Sequence, residues 1–191
     1  MNMNRDKDIY ILLTDTGTVL TKIIRSFTKD PLNHASIAFD ADLNEVYSFG
    51  RKNPSNPFIA GFVREDVRDT FFEDSMCAIY RLRVGHNTYN SIRTEIEHFM
   101  RNQDKYRYNL IGMLGVVFNI EWERKNRYFC SQFVTTVFAR SGVDLVSKSP
   151  LLVTPGDLQQ TSILELVYHG RLHAYAGCDQ LSSSASSFRT A

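Results

Sequence analysis

The chain has 191 residues, 43% of them hydrophobic, and a formal net charge of +1, which is typical of one globular domain with a substantial core. Balanced charge without a long basic stripe argues against a nucleic-acid partner. The three cysteines are too few and too scattered for a disulfide framework. The N-terminus lacks a secretory apolar region, and no apolar stretch reaches the about 20 residues of a transmembrane helix, so we expect a cytoplasmic protein.

Strand patterns dominate the first half of the chain. Apolar residues at helical spacing predict one amphipathic helix there, over about residues 18–28. The predicted strands are Ile9–Leu13, His34–Asp40, residues 45–49, a short strand around Phe62, and Cys77–Val84. The second and third of these are separated by a turn sequence and therefore predict a hairpin.

Helical patterns dominate the second half. The predicted elements are helices over about 88–102, 107–120 and 129–140, a short helix entered at Thr154–Leu158, and a closing strand pair over Leu164–Tyr175. We therefore expect an α+β domain over residues 1–180, with an antiparallel sheet packed against helices. The Ser-rich tail over residues 181–191 is predicted to be disordered.

Cys130 is the candidate nucleophile. It lies in the segment Tyr128–Val134 (YFCSQFV), at the first turn of a predicted helix, where the helix dipole and free N–H groups favour a thiolate. The other interpretation is a buried structural cysteine, because Cys130 shares an apolar helix face with Phe133. Cys77 is predicted to be a core residue of its strand, and Cys178 a bystander near the C-terminus.

Among five histidines, His34 is the candidate general base. It begins a predicted strand, and the small residues Ala35 and Ser36 that follow leave room around its ring. A histidine beside a cysteine accepts the thiol proton and activates the sulfur for attack. The sequence has no zinc-site spacing and no glycine-rich phosphate loop, so we expect neither a metal nor a cofactor.

Two parts of the chain carry a resemblance to known proteins. The first comprises Asp15–Thr18 (DTGT), a helix with Ile23-Ile24-Arg25, and Pro31–Ile37 (PLNHASI); the second is Tyr128–Val134. Together, over roughly residues 9–140, they resemble the permuted papain-like cysteine hydrolases. This is the circularly permuted branch of the NlpC-type peptidases, which includes YiiX-like bacterial hydrolases and is related to lecithin:retinol acyltransferase. The order of histidine before cysteine is typical of that branch.

The resemblance implies a papain-like core, with Cys130 as nucleophile and His34 as general base and then general acid. It also implies a third residue, on the strand after the histidine strand, that orients the imidazole. Ser48 falls at that position, although serine carries no charge to offset an imidazolium. Glu45 and Asp40 are alternatives, because a one-residue register shift exchanges the side chains that face His34. A Cys–His dyad is a further alternative.

The expected function is that of a thiol hydrolase, similar to a peptidase or amidase, or of an acyltransferase. It would cleave an amide or ester through a thioester on Cys130, and its substrate would be a peptide, a peptidoglycan fragment or a lipid ester. One alternative is a non-catalytic binding module that keeps a papain-like groove, favoured by the weak Ser48 position. Another is an interaction protein in which Cys130 belongs to the core. The sequence leaves the oligomeric state open.

Overall fold

The computed structural model describes residues 6–15, 31–52 and 60–175. The predicted helix over residues 18–28, Cys178 and the predicted disordered tail lie outside the described residues. None of the described helices has both the length and the apolar content to span a bilayer.

An antiparallel sheet of six strands forms the centre of the fold. The strands are β1 (Lys7–Thr14), β2 (His34–Ala38), β3 (Val46–Arg51), β4 (Ala60–Glu65), β5 (Met76–Val84) and β8 (Glu165–Arg171). Their order across the sheet is β4-β3-β2-β1-β5-β8. Two further strands, β6 (Arg107–Tyr108) and β7 (Arg127–Tyr128), form a short parallel pair. The predicted α+β class is therefore confirmed.

Helices cover one face of the sheet and close its main core. They are α1 (His86–Arg101), α3 (Cys130–Arg140) and α4 (Pro155–Gln160), whereas the further helix α2 (Leu110–Val117) contributes no residue to that core. Helix α3 packs against β2, β3 and α1, and Phe133 on α3 is fully buried. The helix ends before Gly142, whose φ of +80° suits glycine at this position.

Strand β1 is central and buried on both faces, as its continuous apolar sequence predicts. Ile11 and Leu13 belong to the main core under the helices, whereas Leu12 belongs to a smaller cluster on the other face. Because successive side chains point to opposite faces, only an uninterrupted apolar run satisfies both clusters. Strand β1 therefore contributes side chains to the apolar clusters on both faces of the sheet.

The predicted hairpin of β2 and β3 is present, and its register pairs Ile37 with Tyr47. Asp40 stabilises the turn between the two strands: its carboxylate accepts hydrogen bonds from the backbone N–H groups of Asn44 and Glu45, each at 2.9 Å. The structure thus gives Asp40 a turn-capping position rather than contact with the imidazole of His34.

The end of the fold differs from the sequence prediction. Leu164–Tyr175 is predicted to form a strand pair, but only one strand, β8, is present, and it pairs with β5. An alternating sequence reports strand character and does not report which strand is the partner. Here the partner is the edge of β5 that β1 leaves unpaired, and the paired residues are 84 to 95 positions apart in the chain.

Candidate active site

Cys130 is the first residue of α3, and the local sequence leaves the start of this helix open to its sulfur. The N-cap residue, Phe129, has an extended backbone and no side-chain capping hydrogen bond. The first N–H groups of a helix need acceptors. The backbone N–H groups of Ser131 and Ala35 hydrogen-bond to the sulfur of Cys130 and help to lower its pKa.

His34 begins β2, the strand against which α3 packs. A side-chain hydrogen bond joins its imidazole to the thiol of Cys130. The other side of the ring faces a carboxylate, with His34 Nε2 lying 2.7 Å from Oε1 of Glu65. Because Nε2 is engaged by Glu65, Nδ1 is the nitrogen left for the sulfur. Residues remote in sequence therefore form a continuous Cys–His–Glu arrangement.

Glu65, the last residue of β4, is held in place by two serines. The hydroxyl of Ser36 donates to Oε2 at 2.6 Å, and the hydroxyl of Ser48 donates to Oε1 at 2.6 Å. Gly50 completes this environment, because a Cβ there would lie 3.3 Å from Oε1 of Glu65 and 3.5 Å from Cε1 of His34. The carboxylate is thus both buried and satisfied by hydrogen bonds, as a buried charge requires.

Burial and charge act in opposite directions on the three groups. Burial alone would lower the pKa of His34, but the Glu65 charge and the bond to Cys130 outweigh it and raise this pKa to about 10. Burial alone would raise the pKa of Glu65, yet His34 and the two serines hold it below its ordinary value. Burial likewise opposes ionisation of Cys130, whose pKa is nevertheless lowered, chiefly by His34.

These directions favour an imidazolium between two anions at neutral pH. A raised histidine pKa and a lowered thiol pKa describe a thiolate–imidazolium pair, with the carboxylate of Glu65 compensating the second side of the ring. Such a pair keeps the sulfur nucleophilic near neutrality. Cys77 provides the contrast within the same protein, since burial raises the pKa of its thiol to about 12.

Tyr108 also lies beside Cys130. Hydrogen bonds link it to the thiol and to the backbone of Cys130, and its hydroxyl donates to the sulfur of Met113 at 3.5 Å. Burial raises the pKa of Tyr108 above its ordinary value, so this hydroxyl keeps its proton and can act as a donor. No sequence pattern singles out Tyr108, because β6 contains only two residues and exists through its pairing with β7.

The candidates for the residue that orients the His34 imidazole lie in different parts of the structure. Ser48 lies in the site but donates to Glu65, and it is the carboxylate of Glu65 that contacts Nε2 of His34. Glu45 lies elsewhere, since its carboxylate accepts hydrogen bonds from Arg93 at 2.6 and 2.8 Å. The sequence signal that could have found Glu65 is weak: an acidic residue at the end of a short predicted strand.

Comparisons with known proteins give no family assignment. No protein-family model matches the chain, and no match was found among the curated proteins. Within the described residues, no group of three or more His, Cys, Asp or Glu side chains is arranged to hold a metal ion.

Proposed function

We propose that the protein is a thiol hydrolase or acyltransferase of the permuted papain-like type, acting on an amide or ester through Cys130. One observation carries the proposal: the imidazole of His34 bonds to the thiol on one side and lies 2.7 Å from the Glu65 carboxylate on the other. A structural cysteine requires neither partner. Nucleophile, base and orienting group in this order are the recurring arrangement of covalent catalysis.

The proposed reaction begins with the Cys130 thiolate attacking the substrate carbonyl carbon, while the carbonyl π electrons move to oxygen. Backbone N–H groups at the start of α3 and the Tyr108 hydroxyl are the nearby donors for this oxyanion. The imidazolium of His34 then gives its proton to the leaving nitrogen or oxygen. The bond to the leaving group breaks, and a thioester on Cys130 remains.

The second half of the reaction resolves the thioester. Neutral His34 removes a proton from water, or from the hydroxyl or amine of an acyl acceptor, as that oxygen or nitrogen attacks the thioester carbon. The carbon–sulfur bond breaks and the thiolate leaves, restoring the ion pair with protonated His34. Glu65 stabilises the imidazolium throughout and fixes the ring orientation.

The binding-module alternative has less support than the hydrolase. That alternative depends on the weak orienting power of Ser48, whereas the imidazole of His34 lies against the carboxylate of Glu65. A recognition groove has no need for a buried, compensated ion pair, which costs desolvation free energy. A cytoplasmic location, and a peptide, peptidoglycan fragment or lipid ester as substrate, stay predictions.

The test is thiol reactivity as a function of pH, measured in a Cys178→Ala background so that Cys77 and Cys130 are the two remaining thiols. We expect iodoacetamide to modify Cys130 at pH 6, where an ordinary thiol with a pKa of about 8.5 is almost fully protonated. Cys77→Ala should leave this rate unchanged, and Cys130→Ala should abolish it.

Acylation is tested on the same variants with p-nitrophenyl acetate, by intact mass before and after hydroxylamine. We expect one hydroxylamine-sensitive acetyl group that depends on both Cys130 and His34. If Cys130 titrates as an ordinary thiol, or if His34→Gln leaves its profile unchanged, the proposal fails.

A further inference from the structure

Helix α2 and the chain that follows it present large apolar side chains to solvent. Six such residues are between 39% and 70% exposed. They are Leu110, Ile111, Leu114, Phe118, Ile120 and Trp122, and together they form what we call the α2 apolar surface. Scattered exposed apolar residues are ordinary, but a cluster within 13 consecutive positions indicates an interaction site.

The orientation of α2 is the reverse of that expected for a helix on the surface of a water-soluble domain. Its buried residues are Gly112, Met113 and Gly115, two of which lack a side chain, whereas Leu110 and Leu114 face outward. The helix therefore gives up most of the burial that its apolar residues could provide. Exposed apolar side chains on the outer face of α2 favour an apolar partner that covers them.

Hydrogen bonds within the segment hold the α2 apolar surface in its conformation. Asn109, fully buried, accepts from the backbone N–H of Gly112 at 3.0 Å and donates to the carbonyl of Trp122 at 3.4 Å. The backbone N–H of Ile120 donates to the carbonyl of Gly115 at 2.8 Å. A Cβ at Gly115 would lie only 2.5 Å from the oxygen of Ile120, so glycine permits this close return. The two ends of the segment are thus closed against each other.

Basic residues flank the base of the α2 apolar surface. Arg107 and Arg127 are direct neighbours in the parallel pair of β6 and β7, where like charges repel. Arg107 donates to the backbone carbonyls of Asp104 and Tyr106, and no ion pair joins either arginine to an acid in the part of the chain described. Lys125 adds a further exposed positive charge. Two juxtaposed, uncompensated arginines favour an anionic partner.

We propose that the α2 apolar surface docks the protein on an anionic phospholipid membrane. Apolar and aromatic side chains would enter the headgroup–acyl boundary, while Arg107 and Arg127 would lie at the level of the lipid phosphates. Trp122 has the amphipathic ring that suits this boundary. Glu121 and Glu123 are exposed beside it and oppose binding, so docking should depend on the anionic lipid fraction and on ionic strength.

Docking at this surface would place the membrane on the outer side of the helix whose buried side lies against the candidate site. Tyr108 lies one residue before the N-cap of α2 and bonds to Cys130, and its hydroxyl also contacts Met113 on the buried side of that helix. Resting on the proposed function, this placement identifies the substrate class as an amphiphilic ester or amide presented at a lipid surface. The docking itself does not depend on any reaction, and it can be tested without one.

The experiment uses large vesicles of phosphatidylcholine with 30% phosphatidylglycerol, and vesicles of phosphatidylcholine alone. Trp122 is the only tryptophan of the chain, so its fluorescence reports the surface directly. We expect co-flotation and a blue shift of emission with the anionic vesicles, quenching by lipids brominated on the acyl chain, and weakening in 0.5 M salt because screening reduces the arginine contribution. The Cys130→Ala variant should bind equally, which separates docking from catalysis.

Variants assign the binding to this surface. Leu114→Ser combined with Phe118→Ser should lower partitioning at least about tenfold, and Arg107→Gln or Arg127→Gln about fivefold each. Leu166→Ser is the matched control, because Leu166 is equally exposed but lies on β8 at the opposite edge of the sheet from β4.

Absence of flotation and of any emission change at millimolar lipid would overturn the proposal. So would equal loss of binding in the Leu166 control. A concentration-dependent dimer that Phe118→Ser dissociates, without vesicle binding, would assign the surface to a second copy of the chain instead.

Discussion

Nε2 of His34 and Oε1 of Glu65 lie 2.7 Å apart, although 31 positions separate the two residues in the sequence. The contact joins β2 to β4 across β3, and it gives the imidazole a buried anion on the side away from Cys130. Removing one member of such a buried pair leaves an uncompensated charge. The properties of Cys130 should therefore respond to a change at Glu65, because the imidazole of His34 lies between the two groups.

Glu65→Gln tests whether Cys130 depends on Glu65 through His34, because the amide keeps the size of the side chain and removes its charge. Without the carboxylate, burial lowers the pKa of His34, less imidazolium is present, and the pKa of Cys130 rises. We expect iodoacetamide modification of Cys130 at pH 6.5 to slow about tenfold or more. The measurement is the full rate–pH profile by mass spectrometry.

Glu45→Gln is the matched control for that substitution. Glu45 forms its ion pair with Arg93 at 2.6 Å and is, with Asp40, an acidic alternative for the orienting position. Its loss should change the free energy of unfolding slightly and leave the profile of Cys130 unchanged. Superimposable profiles for Glu65→Gln and wild type, or a shift in Glu45→Gln alone, would contradict the assignment.

Local patterns predicted the elements that carry two of the three central residues. Cys130 at a helix start and His34 at a strand start follow from apolar spacing and turn residues, which act over a few positions. Glu65 could not be found in this way, because its role arises from the order of β2, β3 and β4 in the sheet. Strand order depends on tertiary packing, and no local signal encodes it.

Tyr108 was missed for a related reason. Its strand, β6, consists of two residues and is defined by parallel pairing with β7. The apolar segment between these strands contains the predicted helix, α2, yet its apolar residue Leu114 and the following Phe118 are 50% and 70% exposed. Apolar composition alone predicts burial, and it does not distinguish burial within the chain from burial against a partner.

Tyr108→Phe removes the hydroxyl that bonds to the Cys130 thiol and preserves the ring. Because a donor to sulfur stabilises the thiolate, we expect the pKa of Cys130 to rise and its modification at pH 6.5 to slow by roughly three- to tenfold. Tyr128→Phe is the control: this hydroxyl accepts from Arg140 at 3.4 Å instead. Equal effects of the two substitutions would mean that the change acts through packing.

The His34–Glu65 pair also predicts how stability depends on pH. The folded-state pKa of Glu65 lies below the ordinary value of 4.5, so its contribution is present above about pH 4.5 and is lost as the pH falls further. The folded-state pKa of His34, about 10, lies above the ordinary 6.5. Its contribution is complete below about pH 6.5 and is lost as the pH rises towards 10.

Urea unfolding of the Cys130→Ala protein, with and without Glu65→Gln, measures this dependence free of thiolate effects. We expect a difference in the free energy of unfolding of about 3 kcal/mol near pH 5.5. The difference should shrink on both the acidic and the alkaline side. The alkaline decrease should begin earlier than in wild type, since Cys130 no longer raises the pKa of His34. A difference that is constant from pH 3 to 9 would refute the ion pair.

Gly50→Ala tests whether the close packing around the carboxylate matters for reactivity. The added methyl group would lie 3.2 Å from the Ser48 hydroxyl and 3.3 Å from Oε1 of Glu65, closer than most carbon contacts, so these atoms must shift by a few tenths of an ångström. Since the His34 ring follows Glu65, Cys130 modification at pH 6.5 should slow about tenfold, while urea unfolding changes little.

The control for this substitution is Gly85→Ala, where an added methyl group would meet nothing within 4 Å. Gly85 is the N-cap of α1, where alanine is less favourable than glycine, so stability should fall by at most about 1 kcal/mol while reactivity stays close to wild type. If Gly50→Ala lowers stability strongly but leaves the reactivity of the folded fraction intact, the glycine serves packing of β3 alone. Loss of reactivity at preserved stability would instead place Gly50 among the residues that position the Cys–His–Glu arrangement.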